Sequence, residues 1–141
     1  NVRWWRMKGA GQNWNNDMPP ARFIKMTTYN LKRDKSSDFF RFWRNNVKLQ
    51  KSLGYTGASG VFMLESGGQA YQVMEVEGYN SHAEGKGAFK NSNVNYIEEY
   101  NKMFGWRSHR NDQAAFNASI EQWGIIIETA ELKPEMSSKL K

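Results

Sequence analysis

The chain contains no cysteine. Disulfides, thiolate metal sites and cysteine nucleophiles are therefore excluded, while the compartment stays undecided. Histidine is scarce, with only His82 and His109. Two histidines without cysteine make a poor metal site, so none is expected. No HExxH helix, EF-hand loop or GxSxG nucleophile elbow occurs. Gly85-Lys86-Gly87 lacks the rest of a phosphate loop. Long hydrophobic runs are missing too. The longest are Val61–Leu64 and Ile125–Ile127, far short of the ~20 residues that span a bilayer. The three prolines are Pro19, Pro20 and Pro134, and they mark expected boundaries.

What is present suits one domain of 141 residues. Six Trp, six Tyr and eight Phe are many for this length. Large aromatics bury much area each, so some are expected at an interface as well as in the core. The net charge is +6 and the pI about 9.6. Such a balance attracts anionic partners. Much of the excess, however, lies near the ends, at Arg3, Arg6, Lys8, Lys133, Lys139 and Lys141, which fits an ordinary solvated surface. The chain opens on Asn1 rather than Met. A removed leader or a trimmed start would explain this, so cytoplasmic and exported locations both stay open.

The segments follow one another in an informative order. Residues 1–21 form a Trp- and Asn-rich arm, read as irregular and docked on its own domain or a neighbour. A domain over 22–132 follows, then a polar tail over 133–141. Within the domain, Arg22–Leu31 reads as a strand with apolar residues on both faces. Phe39, Phe40, Trp43, Val47, Gln50 and Leu53 recur every three or four residues, a helical stripe with Gly54 as its C′ residue. Gly57–Glu65 and Ala70–Tyr79 read as strands joined by a Gly67-Gly68 hairpin. Ser81-His82-Ala83-Glu84 fits a capping box, and Asn93–Phe104 is a second helix ended by Gly105. Residues 106–122 form an insertion, in which Asp112 is expected to cap a short helix. Trp123–Leu132 is the last strand.

Strand, helix, strand, strand, helix, strand is the βαββαβ order of a ferredoxin-like unit. The expected fold is therefore α+β: a four-stranded antiparallel sheet with helices on one face. Its bare apolar face needs a cover. The Phe23–Leu31 strand, the aromatic helix Phe39–Leu53, the Gly67-Gly68 hairpin, the Tyr79–Glu84 junction and the Trp123–Leu132 strand together resemble the dimeric α/β-barrel superfamily. That superfamily includes antibiotic-biosynthesis-type monooxygenases and stress-responsive barrel proteins. The resemblance implies a homodimer through sheet faces, forming a dimeric α/β barrel. It also implies a cleft between sheet and helices, and chemistry that needs no metal or organic cofactor.

His82 beside the cap Ser81 is the candidate base, because a helix N-terminus favours neutral imidazole. Tyr79 would supply a hydroxyl, giving His82 and Tyr79 as candidate catalytic residues. Asn30 and Trp43 are candidate substrate-binding residues facing the cleft. His109, between Arg107 and Arg110, is a candidate anion contact. Each has a plainer structural reading, as a turn, loop or core residue. Two function classes follow: a small-molecule binder or cofactor-independent enzyme, and a non-catalytic assembly protein. A single-stranded RNA module would use Tyr29 and Tyr71, but Glu75 and Glu77 on the same strand as Tyr71 would repel phosphate.

Overall fold

A computed structural model describes residues 2–14, 21–69, 71–82 and 87–133. The elements in chain order are β1 (Arg3–Arg6), β2 (Phe23–Leu31), α1 (Ser36–Ser52), β3 (Ala58–Ser66), β4 (Gln72–Tyr79), α2 (Tyr96–Phe104), α3 (Ser108–Ala118) and β5 (Ile120–Glu131). The strands form one antiparallel sheet in the order β1-β3-β4-β2-β5.

The fold is thus α+β, but the expected four-stranded βαββαβ unit is corrected to five strands and three helices among the described residues. Two segments account for the difference. The free edge of β3 offers unpaired N–H and C=O groups, and Arg3–Arg6 pairs with it antiparallel. The arm is therefore a strand where an irregular segment was expected. The inserted segment, expected to hold a short helix starting at Asp112, forms the 11-residue α3 from Ser108. Asp112 lies inside that helix rather than at its cap.

Alternation along β2 sends Phe23, Lys25, Thr27, Tyr29 and Leu31 to one face of the sheet. Their ladder partners Tyr79, Glu77, Glu75 and Val73 on β4 share that face. The helices cover it. Phe39 of α1 is fully buried, stacked on Phe116 of α3 at 4.7 Å and edge-on to Tyr29 at 5.2 Å. Leu31, Phe40, Val61, Val73 and Ile120 complete the core. Gly54 ends α1 in the left-handed region at φ 67°, the C′ role its position predicts.

The arm then crosses from β1 toward α1. Met7 N–H donates to the Val61 carbonyl at 2.8 Å, and Gln12 and Ser59 exchange backbone bonds at 3.0 and 2.9 Å. The approach at Gly11 is close: a Cβ there would stand 2.5 Å from the Ser59 oxygen. The Trp43 indole donates to the Ala10 carbonyl at 3.0 Å, so the arm is fixed on its own domain.

β5 departs from regular pairing. Leu31 faces Ile120, but Tyr29 faces Ile125. The extra residues form a bulge, with Trp123 at φ 61°. That bulge hides the strand's true start: the sequence suggests Trp123, and the structure begins it at Ile120. The expected helix start at the Ser81–Glu84 box runs into residues 83–86, which lie outside the described residues. The next described helix is α2, whose Asn95 side chain accepts from the Glu98 N–H at 3.3 Å. Among the described residues no helix is long and apolar enough to cross a membrane.

Candidate functional site

A cavity of about 210 Å³ lies between α1 and the sheet. Its wall is Phe42, Trp43, Asn46, Val47 and Gln50 from α1, Ser59 from β3, Glu75 from β4 and Phe116 from α3. The helical residues are neighbours because positions three and four apart share a face. Ser59 and Glu75 reach the cavity because both point to the helix-covered side of the sheet, next to Glu77 and Val61 in the ladder.

Polar contacts fix the wall. Tyr96 donates to Asn46 Oδ1 at 2.6 Å and also meets Gln50. Burial pushes the Tyr96 hydroxyl up to about 12. The Gln12 side chain, only 4% exposed, donates to Gln50 Oε1. Its own carbonyl oxygen, Gln12 Oε1, is buried and has no partner among the described residues. An unpaired buried acceptor costs about 1–3 kcal/mol, so a donor that reached it would be favoured. Gln12 bridges to Ser59 and bonds Gln50, and both belong to the cavity wall.

Tyr29 sits beneath the helices, edge-on to Phe39, Trp43 and Phe116. Burial raises its hydroxyl well above the usual phenol range, and the nearby Glu75 and Glu77 charges add to the rise. It therefore stays a neutral donor at physiological pH. Its ring is occupied in the core, so it offers no open platform for a nucleobase.

A second polar cluster lies where α1, α2 and α3 meet. Asp112 accepts from Arg41 Nε at 3.0 Å, Asn45 at 3.2 Å and the Tyr100 hydroxyl at 2.9 Å. Tyr100 is fully buried. Burial foremost, with Asp112 adding, moves its hydroxyl above the usual range. These bonds tie α1 and α2 to α3 through one carboxylate.

The candidate residues from the sequence are spread over the molecule. Trp43 lines the cavity. Tyr79 and His82 do come together, with ring centres 5.5 Å apart, and both lie against Phe23 at the end of β4. Neither is part of the cavity wall. Asn30 accepts from Gln72 Nε2 at 2.8 Å; alternation puts it on the sheet face opposite Tyr29. His109 is held edge-on to Phe42, Tyr96 and Tyr100, and its backbone N–H donates to Asn101 Oδ1 at 3.0 Å. No group of three His, Cys, Asp or Glu capable of holding a metal occurs among the described residues.

Sequence reasoning passed over Asn46, Ser59, Glu75 and Phe116 as cavity residues. One signal was available: Gln50 is a polar residue on an otherwise apolar helical stripe. A polar group on a buried face needs a partner, which here is the wall of a cavity. No known family's model matches the chain, and no curated protein matches its sequence.

Proposed function

We propose that the chain binds a small polar molecule in the cavity between α1 and the sheet. The observation that carries this reading is the wall itself: a carboxylate, a hydroxyl and two amide side chains together with three aromatic rings. Glu75 supplies a negative charge that attracts a positive one. A small amine or other cationic, donor-rich compound fits this chemistry. Sites for drug-sized ligands run to ~300–1,000 Å³, so the 210 Å³ cavity suits a compound of only a few heavy atoms. Binding, and not turnover, is the reading favoured, because the His82 and Tyr79 pair lies away from the wall.

Thermal melting of the full chain with a panel of small amines, amino acids and polyols tests this. A true ligand at a hundred times its Kd adds about 2.7 kcal/mol, on the order of 10 °C for a chain of this size. The shift should shrink strongly in Glu75→Gln. An equal shift in that variant, or no shift with any charged amine, would sink the reading.

A second reading, self-association, is favoured by a different observation. The sheet face opposite the helices carries Ile24, Met26, Phe62, Leu64 and Met74, by alternation in the ladder. The arm reaches this face too, with Trp14 edge-on to Phe62 at 6.5 Å. A homodimer through these faces would cover them, and sedimentation of Met74→Lys against the parent chain would test it.

A further inference from the structure

We propose that β5 is the seam of a homodimer, joined strand to strand and antiparallel about a two-fold axis at Ile126. The proposal goes beyond the sheet-face reading by naming a different contact surface, and it does not depend on the ligand.

Among the described residues the strand stands at the edge of the sheet and pairs only with β2. Its middle is apolar and uncovered: Trp123 is 91% exposed, Ile125 49%, Ile126 50% and Ile127 59%. Ile125 and Ile127 lie across from Tyr29 and Thr27 on the helix side, and Ile126 lies across from Thr28 on the other. Neither face of this stretch is buried. Long apolar edge strands are what natural sheets shorten, charge or cover. A partner lying against one face would leave the other wet. A strand laid along the edge pairs the open N–H and C=O groups and brings side chains to both faces at once.

The sequence of β5 specifies a second copy as that strand. An isologous contact must be self-complementary. With the axis at Ile126, Ile126 meets itself on one face, and Ile125 meets Ile127 twice on the other. Regular pairing on β5 starts at Ile125, just after the bulge, so the matched stretch is Ile125–Ile127, with Trp123 standing at its end. The bulge and the positive φ of Trp123 aim this ring out of the core, as bulges beside functional surfaces commonly do. The area is sufficient. An exposed Trp offers on the order of 200 Å², and with the half-exposed isoleucines each copy contributes roughly 500 Å², so the pair reaches the ~1,000 Å² that a specific interface must clear.

The test is the solution mass of the full chain by light scattering, with circular dichroism to confirm folding. The parent chain should run at twice its 16.4 kDa. I125K/I127K puts like charges opposite each other at both cross-strand pairs and should run as a folded monomer. I125K/I127E puts opposite charges there and should keep the doubled mass. A dimer retained by I125K/I127K but lost in Met74→Lys would overturn the seam in favour of the sheet-face contact. A parent chain at 16.4 kDa at high concentration would overturn both. Should I125K/I127K fail to fold, I125K/I127E decides alone: a folded monomer overturns the proposal.

Discussion

The two edges of the sheet are built in opposite ways. β1 is four residues long, reads Arg-Trp-Trp-Arg, and ends in charges, with Arg3 facing Glu65 at 3.7 Å. β5 is twelve residues long and carries three consecutive isoleucines and Trp123 at its exposed middle. Short strands and charged ends discourage another strand from adding, whereas a long apolar edge invites one. The arm reinforces the contrast, since after β1 it turns inward to the cavity rim at Gln12. The β1 side is therefore finished within the chain, and the β5 side is the one at which we propose a partner. The cavity belongs to the finished side.

The contrast makes ranked predictions. The largest effect belongs to the covered side. Phe39→Ala removes a fully buried ring stacked on Phe116 and should cost ~3–5 kcal/mol in chemical denaturation. A loss below 1 kcal/mol would mean that the core does not rest on this ring. Next, Asp112→Ala strands Arg41, Asn45 and the buried Tyr100 hydroxyl and should cost about 2 kcal/mol. Full stability in that variant would mean that water replaces the carboxylate.

A third prediction concerns alkali. The Tyr96 hydroxyl titrates at about 12 when folded, against its ordinary value of 10.0. A raised folded value means that the unfolded chain loses its proton first. The stability from protonated Tyr96 is complete below pH 10 and drains away as pH climbs toward 12. Tyr96→Phe should flatten the fall of melting temperature in that window, leaving the steeper part to Tyr29 and Tyr100. An unchanged slope would remove Tyr96 from the effect.

The smallest effect on folding lies at the open edge. Trp123→Ala should change monomer stability by no more than ~0.5 kcal/mol, because the ring is 91% exposed. Dilution of that variant should nevertheless dissociate the dimer at a higher concentration than the parent chain. A stability loss above 2 kcal/mol would place Trp123 in the fold and blur the difference between the edges.

Legibility in the sequence followed the range of the forces involved. α1 was readable because its stripe repeats over several turns and Gly54 marks its end. β2, β3 and β4 were readable to within a few residues for the same local reasons. β1 was not, since four residues show no period and the strand exists only because β3 has a free edge. Asp112 misleads because aspartate is a good cap, while two of its three partners, Arg41 and Asn45, are about seventy residues away. The start of β5 was masked by a bulge that breaks alternation. At the cavity, Trp43 belongs to a helical stripe visible in the sequence, whereas nothing local marks Glu75 as a wall residue. Its place under α1 depends on ladder register, which no local pattern reveals. Tyr79 and His82 are neighbours because they lie three residues apart, but their separation from the cavity is a tertiary fact that spacing does not show.

The difference between the edges is tested most directly by amide hydrogen exchange of the full chain at two concentrations, ~1 µM and ~100 µM. Amides of residues 123–129 should exchange markedly more slowly at the higher concentration, while those of Arg3–Arg6 stay unchanged. Equal exchange at β5 across the two concentrations, or protection that appears at β1 instead, would contradict the assignment of β5 as the edge left for a partner.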